Sequence, residues 1–426
     1  MFQFLVRKYQ RKTYKLCVRS LARFFTYEAD EGDFRWYHHL FLKLASFPSQ
    51  GFRYWSIRGA HELANPVADL APAQEYQSCP PRRIGQGSSG HNGSFPPIKA
   101  HQIKNVAASA LSSSFLKSKT VYIPDYYIGK TGPVIADGNV LFWYGVNGEG
   151  LVYEGPRHPQ PNGIKVFGMG ANNWYHWLLD ILPSAYLAQS LPDRFKTFPL
   201  VVPQSALDIP QFRESVELFK GTRELVGIDT DLYDFEDLVS IDPILHEPIN
   251  MRPGYWPETS DYSFNPRVLM AYRQDILDKL DISEPSGPTR LFLARGNDRR
   301  PYNQDELLSI AESQGFEAVY PELLSFREQV ALFAGARFIM GPSGAAFANS
   351  LFCTPGCRLL SWLVPQYSGF CSYSNIASTV GTELRYLFGQ HTTPIHSTFD
   401  AFRATYTIDV AEFETALDRM LNADDF

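Results

Sequence analysis

The chain has 426 residues, more than one hydrophobic core usually serves, so two or three domains are expected. A hydrophobic content of 44% and an aromatic content of 14% suit a large buried core, with some aromatic excess left for sugar-binding surfaces. A net charge of −6 leaves no electrostatic footprint for nucleic acid, and five cysteines, few and odd in number, fit a reducing compartment better than a disulfide framework.

The first stretch lacks the ~18 apolar residues of a spanning helix and the apolar core of a signal peptide. Instead Arg7, Lys8, Arg11, Lys12, Lys15, Arg19 and Arg23 alternate with Phe4, Leu5, Tyr9, Leu16 and Phe24 before the first acid, Glu28. Residues 1–25 therefore read as a basic amphipathic helix, suited either to an anionic membrane surface or to the body of the protein. Residues 30–100 carry little pattern: a helix around Trp36–Leu42, then a Gly/Ser/Pro-rich loop from Gly85 to Pro97 that marks a first boundary.

From Thr120 short strands follow one another, Val121–Ile123, Val134-Ile135, Val140–Tyr144 and Leu151–Tyr153, separated by Asp137-Gly138-Asn139 and Asn147-Gly148 turns. A strand at Ile164–Phe167 enters the turn Gly168-Met169-Gly170. Asn172 or Asn173 then caps a helix from Trp174 to Ile181, which Pro183 ends or kinks. His176 and Asp180 are four residues apart and share one face of that helix. They either pair to tie the helix down or supply a general base for a hydroxyl that must lose its proton. Further on, Pro199–Val202 reads as a strand and the stretch from Ile209 or Gln211 to Gly221 as a helix with Phe212, Val216 and Phe219 on one face. A Pro/Asn/Tyr-rich loop from Pro248 to Asn265 holds Tyr255 and Trp256, and a long helix is expected from Pro266 to Leu280.

Past the Ser283–Pro288 linker the order becomes strand, helix, strand, helix, strand, helix, strand, the rhythm of a parallel sheet with helices on its faces. The strands are Arg290–Arg295, Phe316–Tyr320, Phe338–Met340 and Arg358–Leu363. Ser325 and Glu328 form a capping box for the helix to Ala334. Gly341-Pro342-Ser343-Gly344-Ala345 turns the third strand into a small-residue helix. Such a turn is either a plain connection or an anion site built from backbone N–H groups. The basic cluster Arg290, Arg295, Arg299 and Arg300 favours the anion, because ligands of parallel sheets bind at the carboxyl ends of strands. An amphipathic helix at Val410–Leu421 closes the chain.

Two blocks resemble glycosyltransferase family 61 in order and spacing. One is Asn173-Trp174-Tyr175-His176-Trp177-Leu178-Leu179-Asp180-Ile181-Leu182-Pro183. The other runs from Leu293-Ala294-Arg295 through Arg300, Asn303, Glu306, Pro321-Glu322, Glu328-Gln329 and Gly341–Ala345 to Asn349. Ser343 stands where the family usually carries His, and the Glu common after the last strand is replaced around Ser361-Trp362. The resemblance, of a bacterial type, implies a GT-B-like α/β fold of two Rossmann-like domains facing across a cleft, here with an N-terminal extension and an antiparallel β section. Expected boundaries are an extension at 1–105, an acceptor-side domain at 106–285, a nucleotide-sugar domain at 286–395 and a C-terminal segment at 396–426 that packs back on the first domain.

The activity so implied is an inverting transfer from a nucleotide sugar to a glycan or lipid-linked glycan, in surface polysaccharide or glycoconjugate synthesis. It would need no metal and no cofactor, and would take place in the cytoplasm, with peripheral membrane contact through residues 1–25. The resemblance lands on Asp180 and His176 as the catalytic pair, with Asp180 favoured as base and His176 kept neutral by the helix N-terminus. Donor-binding candidates are Arg295, Arg300, Asn303, Glu322, Glu328, Gly341, Ser343, Gly344, Ala345 and Asn349; acceptor candidates are Asn173, Tyr255 and Trp256. Asp229-Thr230-Asp231 has the letters of a metal motif but sits in an acidic run outside the donor domain. Two other readings stand beside this one. A kinase or dehydrogenase lacks its phosphate fingerprint here, and a non-catalytic sugar-binding protein on the same fold is made plausible by Ser343.

Overall fold

A computed structural model of the chain describes residues 52–87, 89–127, 140–145, 148–248, 256–282, 287–296, 300–391, 395, 401, 404–423 and 426. The basic segment 1–25, the helix at 36–42, the strand at 134–135, Tyr255 and Arg299 lie outside the described residues.

In chain order the first strands are β1 (Phe52–Gly59), β2 (Pro66–Ala71), β3 (Gln74–Ser78), β4 (His91–Phe95), β5 (Ile98–Ala108), β6 (Phe115–Lys117), β7 (Thr120–Ile123), β8 (Leu141–Gly145), β9 (Glu149–Tyr153), β10 (Arg157–Lys165), β11 (Leu200–Pro203), β12 (Leu225–Ile228) and β13 (Leu232–Ile241). All but the β3–β4 hairpin join one 11-stranded mixed sheet in the order β12-β11-β10-β13-β5-β6-β7-β1-β9-β8, with β2 beside β5. Strands β12, β11, β10 and β13 are mutually parallel, and β5 pairs antiparallel with β13 from Ala108↔Tyr233 to Ala100↔Ile241.

That pairing bears on the expected extension at 1–105. Its boundary falls inside β5, and β1, β2 and β5 belong to the large sheet. The Gly/Ser-rich stretch is likewise no simple loop, since β4 pairs with β3 and Gly93 makes room for the Tyr76 ring. A Cβ on Gly93 would lie 2.5 Å from the Tyr76 hydroxyl oxygen, a contact that no local pattern announces.

The later strands are β14 (Leu245–His246), β15 (Ser263–Phe264), β16 (Arg290–Leu293), β17 (Glu317–Val319), β18 (Phe338–Pro342), β19 (Arg358–Leu363) and β20 (Glu383–Phe388). The last five form a wholly parallel sheet in the order β17-β16-β18-β19-β20. Leu291, Phe292, Ile339, Met340, Leu359, Leu360 and Trp362 are buried on successive positions, because helices cover both faces of such a sheet. The connection after β16 leads outward to β17, and the next returns past β16 to β18. The crevice between β16 and β18 is therefore the switch point at which open α/β sheets bind ligands.

One apolar core joins the two sheets, running from Ile164, Trp177 and Leu178 through Tyr272 to Phe292, Phe347 and Trp362. The helix Pro210–Lys220 buries Phe212, Val216 and Phe219, the face its sequence predicts. The helix Val410–Asn422 buries Phe413 and Leu417 and starts at an Asp409 cap. It meets the small sheet: Phe413 packs edge-on against Trp362, and Arg358 donates to the Met420 carbonyl at 3.0 Å. Its Arg419 also approaches Gly85, so these contacts tie the helix to the small sheet and the Gly85 turn. The protein is thus a mixed α/β structure with a parallel-dominated architecture. No helix of the described residues is long and apolar enough to cross a membrane.

Candidate active site at the end of the parallel sheet

The first block of site residues is positioned by β10 and the turn that follows it. Gly170 has φ +83°, and a Cβ there would lie 2.8 Å from the His176 ring, so only glycine serves both the turn and the close approach. The Gly170 carbonyl accepts the Asn173 N–H at 2.7 Å, and the Asn173 side chain accepts the Tyr175 N–H at 2.9 Å. Asn173 is therefore the helix cap that its sequence position predicts. The helix opens at Trp174–His176 and widens into a π segment, Trp177–Ile181, before Leu182–Leu187 continues it. Pro183 neither ends nor breaks it: the proline sits at the start of the last segment, directly after the widened turn. The wider turn upstream relieves the clash of the proline ring with the preceding carbonyls.

His176 Nδ1 and Asp180 Oδ2 are in hydrogen-bond contact, as the spacing predicts. Beside them, the Tyr175 hydroxyl donates to Glu247, which lies just past β14 and which no sequence pattern singles out. Burial pushes the Glu247 carboxyl up, the Asp180 charge adds to it, and the group reaches about 7. Burial opposes charge on His176, but Asp180, by charge and by hydrogen bond, together with Glu247 outweighs it, and the imidazole is raised. Asp180 and Glu247 thus favour a proton on His176, against the pull of the short helix N-terminus toward the neutral ring.

The second block sits at the carboxyl ends of β16 and β18. Gly341 lets these strands meet closely, since a Cβ there would lie 2.7 Å from Leu293 Cβ. Arg295 is clamped through its backbone: its N–H donates to Gln304 at 2.8 Å and its carbonyl accepts from the same side chain at 3.1 Å. Its guanidinium crosses the crevice, donating to the Arg300 carbonyl at 2.9 Å and the Ser343 carbonyl at 2.8 Å. Arg300 adopts φ +60°, a left-handed conformation that costs a non-glycine residue about 1 kcal/mol or more and persists only where its surroundings impose it. Burial and the adjacent Arg295 charge both disfavour charge on Arg300. Two half-buried guanidiniums at a switch point make a favourable seat for an anion.

Gly344 lies within reach of both arginines, with a Cβ there 3.5 Å from Arg295 and 3.9 Å from Arg300. Ala345 begins a 3-10 helix, Ala345–Phe352. The Ser343 N–H is already engaged, donating to the Trp362 carbonyl at 3.1 Å, which removes it from the expected set of anion donors. Arg290 is at the opposite, N-terminal end of β16, where it meets the Gln314 carbonyl and the Phe338 ring. It is separated from Arg295 by the length of the strand, so the four-arginine cluster of the sequence is not one cluster in space.

The remaining candidates are distributed around this edge. Asn349 is fully buried; its amide accepts from Trp174 Nε1 and donates to Gln329, each at 2.9 Å. It therefore bolts the helix that opens at Trp174, hereafter the signature helix (Trp174–Leu187), to the small sheet. Asn303 donates to Glu306 and to the Ile408 carbonyl and accepts the Ile408 N–H, holding the C-terminal segment. Glu328 completes the predicted capping box with Ser325, whose hydroxyl and N–H lower its carboxyl. Glu322 is exposed on the short helix Pro321–Leu323, near Gly296. Trp256 packs edge-on against Tyr367 at 6.2 Å.

Tyr373 connects the two blocks. Its ring meets Tyr175 edge-on at 5.4 Å, and its hydroxyl feels the charges of Arg300, Glu247 and Arg295. Tyr373 therefore lies within electrostatic range of both the arginine pair and the acidic cluster. Neither Glu247 nor Tyr373 is legible beforehand, because their neighbours lie far away along the chain.

No curated protein matches the chain. The family model described as Glycosyltransferase 61 matches residues 174–360, a span that opens on the Trp174 helix and takes in the arginine pair and the glycine turn. Over residues 174–360 the chain is thus similar to glycosyltransferase family 61, and the matched span holds the arginine pair and the His176–Asp180–Glu247 cluster.

Proposed function

We propose that the protein is an inverting, metal-independent glycosyltransferase of GT-B type, moving a sugar from a nucleotide sugar to a glycan acceptor. The observation that carries the reading is the pair Arg295 and Arg300 at the β16–β18 switch point, beside the Gly341–Gly344 turn. There the donor diphosphate would lie. The acceptor oxygen attacks the anomeric carbon while the bond from that carbon to the diphosphate breaks, its electron pair leaving with the phosphate oxygen. The arginines stabilise that growing negative charge, the task a divalent cation performs elsewhere. The acceptor proton passes to the His176–Asp180 pair, with Asp180 as base. The small parallel sheet would hold the donor and the large sheet the acceptor, with Trp256 on the acceptor side. Surface polysaccharide or a lipid-linked glycan would be the acceptor class.

A thermal-shift screen of nucleotide sugars on the full chain tests this. The matching donor at a hundred times its dissociation constant adds about 2.7 kcal/mol of stability. Slow hydrolysis of that donor, unchanged by EDTA, is the expected outcome. Loss of hydrolysis in EDTA with rescue by manganese would overturn the metal-independent mechanism, and no stabilising donor would overturn the reading as a whole. Binding with no turnover in the presence of any acceptor would favour a non-catalytic sugar-binding protein.

A further inference from the structure

The His176–Asp180 pair is only part of a larger polar cluster. Glu247 enters from the segment after β14, bonds the Tyr175 hydroxyl and lines a small cavity with Tyr262, Phe264, Ser372 and Asn375. Tyr175 holds its ring edge-on against His176 at 5.4 Å while its hydroxyl bonds Glu247, so one residue touches both the imidazole and the carboxyl. Every element packed here brings its own titratable groups. The signature helix brings Tyr175, His176 and Asp180, the loop before β15 brings Tyr262, and the helix Ser372–Val380 brings Tyr373, with Cys371 at its cap. His246, the neighbour of Glu247, stacks instead on Tyr126 at 4.3 Å.

Two carboxylates and one imidazole share a poorly solvated space. Ionising both carboxylates there is costly, so the cluster retains a proton near neutrality and titrates as a unit. With a proton held on Glu247, one negative charge fewer acts on the His176–Asp180 pair. Once Glu247 ionises, its charge falls on His176 and binds a proton there more tightly.

We propose that Glu247 is a positioning residue of the transfer step, setting the protonation of the His176–Asp180 pair from behind Tyr175. This rests on the pair acting as the proton acceptor, as in the function proposed above. In the reaction the hydroxyl proton moves to the pair, and Glu247 only fixes which of its members can receive it.

The test is an NMR titration of the full chain labelled on histidine, with the His176 signal assigned from His176→Gln. In Glu247→Gln the His176 proton affinity is expected to fall about threefold or more, since a neighbouring negative charge is gone. Tyr175→Phe is expected to shift it the same way, because the phenol bond stabilises ionised Glu247. This second variant decides the matter if Glu247→Gln does not fold. With the nucleotide sugar that the chain hydrolyses, kcat should move its pH dependence in step with His176, while donor KM stays constant. An unchanged His176 titration in folded variants overturns the inference. So does a shifted titration with an unshifted kcat profile. Donor binding, measured separately by thermal shift, tells either failure apart from failure of the glycosyltransferase reading.

Discussion

Arg295 and Arg300 show how much a single side chain can decide here. Each guanidinium is partly withdrawn from water, and Arg300 adopts a left-handed backbone that most residues avoid. Removing the charge by Arg300→Ala is expected to weaken donor binding by about 1.5–3 kcal/mol, the range for a hydrogen bond to a charged group. Calorimetric titration with the donor found by screening checks this, and unchanged affinity in both Arg295→Ala and Arg300→Ala would remove the diphosphate from this site. Asp180 makes a complementary case. Asp180→Asn keeps the shape and removes the basicity, so turnover should fall by about 10²- to 10⁴-fold with donor binding intact. Near-normal turnover in that variant, with loss in His176→Gln, would reverse the two roles in single-turnover measurements.

Among the elements, the signature helix matters most, and its position is set from both ends. Gly170 brings the chain close under His176, while Trp174 reaches across to Asn349 on the 3-10 helix after β18. Trp174 also packs edge-on between Phe212 and Phe326, at 5.2 and 5.7 Å. This one residue therefore joins the helix Pro210–Lys220, the helix Phe326–Gly335 and the 3-10 helix after β18. Trp174→Phe keeps a ring in place but leaves the buried Asn349 oxygen without its donor. The expected cost is about 1–3 kcal/mol in urea unfolding, with an unchanged slope on denaturant. A negligible change would mean that solvent reaches Asn349 and that the bridge is not what aligns the two clusters.

At the scale of the whole molecule, the acidic cluster links folding to pH. Glu247 holds its proton to about 7 in the folded state, well above an ordinary carboxyl, so its contribution is full below pH 4.5 and declines as pH rises through 7. His176 is also raised, and its contribution is lost as pH rises above 6.5 through its folded value. Both terms have the same sign. Stability of the wild-type chain should therefore fall between pH 5 and 8 more steeply than that of Glu247→Gln. Urea unfolding at the two pH values measures the difference, and equal slopes would show that Glu247 titrates normally.

Much of the site was legible because its parts are local. The Asn173 cap, the Ser325–Glu328 box, the His176–Asp180 spacing and the strand–turn–helix at Gly341 each depend on residues within a few positions of one another. Periodicity likewise placed β16, β18 and β19, since parallel strands covered on both faces appear as unbroken apolar runs. The family resemblance rests on the same short blocks. The π segment was not legible, because a helical pattern carries no mark of one widened turn.

Contacts between distant residues were decided by the tertiary structure alone. Tyr175 and Glu247 are 72 positions apart, and Trp174 and Asn349 are 175 apart. The β5–β13 pairing, which carries residue 105 into the large sheet, joins segments more than a hundred residues apart. The split of Arg290 from Arg295 has a simpler cause: a strand of four residues, Arg290–Leu293, carries its two flanks to opposite ends of the sheet. The amino-acid sequence by itself determined which short elements form and what chemistry they carry. Only the tertiary packing decided which of those groups are buried and which charges reach them, and there the Glu247 carboxyl, the His176 imidazole and the Arg300 guanidinium take properties that none of them has alone.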